Sequence, residues 1–191
     1  MDASLFRGET IAEVVRAGLV ESVHSGHLIE LDENGSVVKS LGSVHIPIYP
    51  RSSVKSLQAS AMVRAGLKLS AEQLAVVCAS HSGSEEHFRV IRSILTDHNL
   101  DESAFRNAVD TPLGEPERRA WGNKPGTQLA QNCSGKHAGM LATCVVNGWD
   151  IETYTDPNHP LQKLIVAEFE TLAREKVQYL TADGCGAPLF A

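Results

Sequence analysis

Across the first 45 residues apolar and polar positions alternate in short runs, at 11–16, 19–24, 28–32 and 37–41, as they do in half-buried strands. Asn34-Gly35 supplies the positive-φ pair favoured in a tight hairpin, so the spacing predicts an antiparallel meander. After Pro47 and Pro50 the period lengthens. Val54, Leu57, Ala61 and Leu67 fall on one helical face interrupted near Gly66, with Ser52-Ser53-Val54-Lys55 at its start.

Ser70-Ala-Glu-Gln73 has the form of a capping box for a short helix. Residues 74–79 then run apolar without alternation and read as a strand covered on both faces, ending at Ser80-His81-Ser82-Gly83. A second capping box, Ser82-Gly-Ser-Glu85, precedes a helix face of Phe88, Ile91, Ile94 and Leu95. Residues 101–130 are polar and rich in Pro and Gly, which suits helical pieces in a long connection. Asn132-Cys-Ser-Gly-Lys-His137 follows, and Met140, Leu141, Cys144 and Val145 continue as a helix that ends at Asn147-Gly148. His159-Pro160 opens another helix, with Leu161, Leu164, Ile165, Phe169 and Leu172 for its core and Arg174 and Lys176 at its C-terminal dipole. The segment Ala182-Asp-Gly-Cys-Gly-Ala-Pro188 reads as a turn.

Strands first, then strands alternating with helices, predict an α+β fold with a mixed sheet flanked by helices. No repeat, low-complexity tract or charged linker interrupts the chain, so a single domain over residues 1–191 is expected.

Charge and composition narrow the function classes. Seventeen basic against 23 acidic residues give a net charge of -6 with no run of Lys and Arg, which argues against nucleic acid and acidic membranes as partners. No stretch approaches the roughly 18 apolar residues of a membrane span, and Met1-Asp2-Ala3-Ser4 lacks the basic opening of a secretory signal. A cytoplasmic setting is expected. Cys78, Cys133, Cys144 and Cys185 form no CxxC pair and read as thiols, some of them candidate metal ligands.

Ser52-x-x-Lys55 carries the sharpest chemistry. One helical turn sets a lysine amine beside a hydroxyl, and a neutral amine can take the proton of an attacking serine if burial or a neighbouring charge such as Arg51 lowers its pKa. The same spacing also suits a serine N-cap. Ser80-His81-Ser82-Gly83-Ser84 places hydroxyls and an imidazole where a helix N-terminus offers backbone donors, for an oxyanion or simply for a cap. Asn132–His137 is not a phosphate loop, because Ala130 stands where its first glycine belongs and His137 follows Lys136. Cys133 ahead of a helix, near Lys136 and His137, suits a thiolate nucleophile with His137 as base. Cys133 and Cys185, with His137, Asp183 or Lys136, also suit zinc, or are two unrelated buried thiols.

Together, Arg16-Ala-Gly-Leu-Val-Glu-Ser-Val-His24, Arg51-Ser-Ser-Val-Lys55, Cys78-Ala-Ser-His-Ser82, Asn132-Cys-Ser-Gly-Lys-His-Ala-Gly-Met140 and Asp183-Gly-Cys185 resemble the Rhizobium-type (asparaginase II) L-asparaginases. The resemblance spans about residues 12 to 188. It implies a serine β-lactamase-like fold that hydrolyses L-asparagine to L-aspartate and ammonia, with Ser52 as nucleophile, Lys55 as its base and Ser80 in a second Ser-Lys pair. Arg51, His81, Lys136 and His137 are then expected to contact substrate, and Cys133, Lys136, Asp183 and Cys185 to bind zinc, with no organic cofactor. Chains of that family run further, so this one is expected to be an N-terminal portion lacking the C-terminal part and its second lysine. The apolar tail Leu189-Phe190-Ala191 suggests a surface that meets another copy, as in a homodimer, or a missing lobe. A truncated module that binds a small molecule or metal without turnover is the alternative reading.

Overall fold

The computed structural model of the chain describes residues 8–191. Met1-Asp2-Ala3-Ser4, read for a leader, lies outside the described residues. The backbone gathers into two compact units, one ending at Ile48 and one running from Tyr49 to Ala191.

The first unit holds two antiparallel hairpins, β1 (Glu9–Arg16) with β2 (Leu19–Gly26) and β3 (Leu28–Leu31) with β4 (Val37–Leu41). Ala17 and Gly18 turn the first at φ of 49° and 82°, the paired positive values whose twist matches a two-residue hairpin. In the second, Gly35 has positive φ at 82° and Asn34 does not. There the Asp32 carboxylate accepts from the Asn34 and Ser36 amides at 2.9 and 2.8 Å, an Asx turn. The expected meander is broken between β2 and β3. Only His27 separates them, too little chain to reverse direction, so the hairpins form separate sheets.

In the second unit a 3-10 turn (Arg51–Val54) leads into α1 (Lys55–Arg64), followed by α2 (Ala71–Cys78), α3 (Glu85–Asp97), a 3-10 turn (Glu102–Ala104) and α4 (Glu115–Trp121). Then come α5 (Ser134–Asn147), α6 (Pro160–Ala173) and a hairpin of β5 (Leu180–Ala182) with β6 (Pro188–Phe190). The class is α+β, as expected. The three sheets are separate two-stranded ribbons rather than one mixed sheet flanked by helices. Among the described residues no helix is long and apolar enough to cross a membrane.

Three local expectations change. The Ser70–Gln73 capping box is present, but its helix runs on through residues 74–78, which had read as a strand. A six-residue apolar run fits either element, and here Gln73, Val76 and Val77 bury one helical stripe. At α3 the capping box is Ser84 with His87, because the Ser84 hydroxyl reaches the His87 amide while Ser82 bonds the Glu117 carboxylate. The closing turn at Asp183–Ala187 is the tip of the β5–β6 hairpin, and its apolar end is covered: Leu189 and Phe190 are buried, the Phe190 ring centroid 4.6 Å from that of Phe169.

α5 is the axis of the unit. Residues 134–144 are all buried, and the helix packs on α1, α2, α3 and α6. Two glycines set its approach to α2. A Cβ on Gly135 would lie 2.4 Å from the Val76 carbonyl oxygen, and one on Gly139 would lie 2.9 Å from a Val77 methyl. Gly148 ends the helix in the left-handed region at φ 65°, where a side chain is strained.

Because the obstacle at Gly135 is backbone, Gly135→Ala forces the helices apart. The expected cost is that of an overpacked core, about 1–3 kcal/mol, read as a thermal midpoint several degrees lower by calorimetry. An unchanged midpoint would show that α2 and α5 separate freely.

Candidate active site

Four segments converge in the second unit: the 3-10 turn with the start of α1, the link between α2 and α3, the start of α5 and the tip of the β5–β6 hairpin. A cavity of about 230 Å³ lies among them, walled by Arg51, Ser52, Lys55, Cys133, Lys136 and Asp183, with Gln58, Asp110 and Asn132 also facing it.

Lys55 opens α1 and is buried. Its ammonium donates to the Ala79 carbonyl at 2.6 Å and to Ser80 Oγ at 2.9 Å. Burial lowers its pKa, the positive charge of Lys136 lowers it further, and Cys133 opposes both. Ser52, one turn earlier, is exposed on the cavity wall, and no hydrogen bond joins it to Lys55 among the described residues. The serine that bonds Lys55 is Ser80. Arg51, just before Ser52, adopts φ 54°, a conformation that costs a residue with a side chain on the order of 1 kcal/mol.

His81 is buried behind this wall. Ser134 Oγ donates to the Leu129 carbonyl at 2.7 Å, so it accepts from His81 Nε2 at 2.8 Å. That fixes the tautomer and leaves His81 Nδ1 without a partner. The ring stacks on His87 at 5.3 Å. Burial, with the charges of His87 and Lys55, pushes its pKa down to about 4. The imidazole thus clamps the loop after α2 onto α5 as a neutral donor.

At the start of α5, Lys136 is 2 % exposed. Its ammonium donates to Cys185 Sγ at 3.2 Å and to Asp183 Oδ2 at 3.4 Å. Burial alone pulls a lysine toward neutrality, but Cys185, Asp183 and Cys133 outweigh it and hold Lys136 above the ordinary value. Asp183 is raised by burial and lowered more by Lys136, ending below the usual range. Cys185 donates its own proton to Asp183 Oδ1 at 2.8 Å. The neighbouring Cys185 thiol, with Lys55 and Lys136 acting against burial, pushes the Cys133 thiol down to about 5, and Cys133 together with burial pushes Cys185 up. Two lysines, Lys55 and Lys136, thus favour negative charge on Cys133.

His137 does not serve Cys133, which corrects its expected role as that thiol's base. One ring nitrogen lies 3.1 Å from Cys185 Sγ and the other 2.8 Å from the Tyr154 hydroxyl, because the next position along α5 points away from the N-cap. Full burial, with Lys136 and Lys55 nearby, keeps His137 neutral. Of the expected substrate contacts, Arg51 and Lys136 face the cavity, while His81 and His137 sit behind it.

The fold does gather Cys133, Lys136, Asp183 and Cys185. As a metal cradle the set fits poorly. Zinc sites use three or four converging ligands, mostly deprotonated Cys, His and carboxylates, and no three such side chains converge in that way among the described residues. The buried ammonium of Lys136 already bonds the Cys185 sulfur and the Asp183 carboxylate.

Tyr154, Gln131 and Ser134 were not singled out in the sequence, yet each positions a site residue. Tyr154 holds His137, Gln131 Oε1 accepts from the Cys133 amide at 2.8 Å, and Ser134 holds His81. Ser134 lies inside the Asn132–His137 motif. Tyr154 lies in a polar stretch with no periodicity.

The His81 clamp has a pH signature. An unfolded histidine titrates near about 6.5, while His81 in the fold titrates at about 4. As pH falls the unfolded chain takes the proton first, so stability is lost progressively between those two values. His81→Gln keeps a donor for Ser134 without the titration. Thermal midpoints from neutral pH downward are expected to fall less steeply in the variant, and equal slopes would relieve His81 of this role.

No curated protein sequence matches the chain. The profile that does match describes L-asparaginase II and runs over residues 12–191, taking in each segment that lines the cavity; the chain belongs to the L-asparaginase II family.

Proposed function

We propose that the chain is an L-asparaginase-like amidohydrolase that works through a serine and lysine at the cavity, with L-asparagine as substrate. One observation carries this reading: a buried lysine of lowered pKa, Lys55, shares the cavity wall with Ser52 and is held from behind by the Ser80 hydroxyl at 2.9 Å.

The cavity volume of about 230 Å³ lies below the roughly 300–1,000 Å³ of pockets for drug-sized ligands and suits a small polar metabolite. Its wall carries both signs of charge, Arg51, Lys55 and Lys136 against Asp110 and Asp183, as a zwitterionic amino acid amide requires. In the reaction, the neutral Lys55 amine takes the Ser52 proton as Ser52 attacks the side-chain carboxamide carbon. The ammonium so formed returns its proton to the departing nitrogen, and ammonia leaves an acyl-enzyme. Water, deprotonated by the same amine, then releases L-aspartate. Ser80 and the Ala79 carbonyl keep the amine aimed throughout, and no step runs through a metal. The strained φ at Arg51 is consistent with a turn built to present Ser52, since strain of this kind is retained where surrounding structure enforces it. The reading carries with it a serine β-lactamase-like architecture and a cytoplasmic homodimer.

Ammonia release from L-asparagine tests it. Lys55→Met and Ser52→Ala are each expected to lower turnover by about 10²–10⁴-fold, the usual worth of an acid–base group or more, while the thermal midpoint of Ser52→Ala stays near wild type. Turnover that survives Ser52→Ala and disappears with Ser80→Ala would move the nucleophile to Ser80. A folded wild-type chain that L-asparagine stabilises without releasing ammonia would be a binding module.

A further inference from the structure

A charged ligand in the cavity has to be met by wall groups whose own charge is not already answered. Two carboxylates line the cavity, Asp110 and Asp183. Asp183 is taken. Its Oδ1 accepts from the Cys185 amide at 2.9 Å, the Cys185 thiol at 2.8 Å and the Ala187 amide at 3.1 Å, and its Oδ2 accepts from Lys136 at 3.4 Å. The Cys133 sulfur, also on the wall, lies in the field of Lys55 and Lys136. Asp110 differs: its Oδ1 accepts from the Thr111 amide at 2.7 Å, and among the described residues no cation bonds either oxygen. The Arg51 guanidinium, lining the same cavity, likewise has no hydrogen bond or ion pair among the described residues.

The backbone beneath Asp110 is fixed from two sides. Its amide donates to the Thr127 carbonyl at 3.1 Å and its carbonyl accepts from the Thr127 amide at 2.9 Å, an isolated antiparallel bridge. Glycine is needed next to this bridge, because a Cβ on Gly126 would lie 2.8 Å from the Asp110 carbonyl carbon. Two residues before Asp110, the Ala108 amide donates to the Cys185 carbonyl at 3.2 Å and ties the segment to the β5–β6 hairpin tip. The Asn107 side chain adds a bond to the Gln128 carbonyl at 2.8 Å. A recognition group works best on backbone held in this way, since little ordering remains for the ligand to impose.

We propose that Asp110 holds the α-ammonium of the substrate while Arg51 takes its α-carboxylate, so that the cavity selects α-amino acid amides over amides that lack the amino group. The inference takes its ligand from the amidohydrolase reading and adds to it the group that reads the amino end. A ligand with the ammonium gives Asp110 a charge-assisted hydrogen bond. A ligand without it brings only its carboxylate, which Asp110 repels, so discrimination comes from attraction and repulsion together.

Two pairs of probes differ only in the ammonium: L-aspartate against succinate, and L-asparagine against succinamic acid. Asp110→Asn keeps an oxygen for the Thr111 amide and removes the charge, so its thermal midpoint is expected to stay near wild type. Calorimetric titration with L-aspartate, which has no amide to cleave, is expected to show an affinity about 10–100-fold weaker in the variant, the worth of a hydrogen bond to a charged group. Succinate is expected to bind the variant at least as tightly as wild type, because a repelling charge has gone. In ammonia release from L-asparagine the same factor is expected in KM with kcat little changed, the mark of a group that binds ground state and transition state alike. Succinamic acid is expected to show no such rise. Equal loss of L-aspartate and succinate binding, or an unchanged KM for L-asparagine in the variant, overturns the proposal and leaves the amidohydrolase reading standing. Binding that depends on both the ammonium and Asp110, with no ammonia released by wild type, supports the proposal and overturns the amidohydrolase reading. A folded wild type that binds neither L-aspartate nor L-asparagine overturns both.

Discussion

Burial of the Lys136 ammonium is the constraint around which the site is arranged. A full charge at 2 % exposure is tolerated only with counter-charges and hydrogen-bond acceptors in place, and removing one partner leaves an uncompensated ion in the interior. Cys185 and Asp183 meet that demand from a hairpin tip that would otherwise be an ordinary exposed turn. The requirement fixes the tip against the start of α5 and so shapes the cavity between them. The same ammonium, together with Lys55, lowers the Cys133 thiol. The lowered pKa of Lys55 is in part a result, since one compensated cation near another makes the second easier to discharge.

The helix that carries Lys136 is held by shape rather than charge. Gly135 and Gly139 bring α5 against the backbone and side chains of α2, while His81 and Ser134 fasten the loop after α2 to the same turn. Lys55 reaches Ser80 and the Ala79 carbonyl across this junction. The proposed base is therefore positioned by the α2–α5 contact, although it belongs to neither helix.

Much of this was legible beforehand wherever periodicity or a cap fixes the local answer. The hairpins of the first unit, α1, α3, α5 and α6 follow from spacing, from Gly148 and from His159-Pro160. Residues 74–78 were misread because a short apolar run has no period of its own, and the contacts that make it a helix are tertiary. The separation of β2 from β3 turns on a single residue, His27, below what pattern reading resolves. In the site, Ser52 and Lys55 announce themselves by spacing, but the pairing of Lys55 with Ser80 joins positions with no sequence relation. Tyr154 was unreadable for the same reason: only folding brings its hydroxyl to His137.

α5 carries one further consequence. With residues 134–144 buried on every side, this helix has no water-facing stripe along which its amide hydrogen bonds open one at a time. Solvent reaches those amides when the surrounding helices part. Among the described residues the slowest hydrogen–deuterium exchange therefore belongs to the helix that carries Lys136, and its rate reads the stability of the whole second unit rather than a local fluctuation. A cavity walled on one side by such a helix gains no flexibility from it, so motion that admits a ligand has to come from the loops facing the cavity.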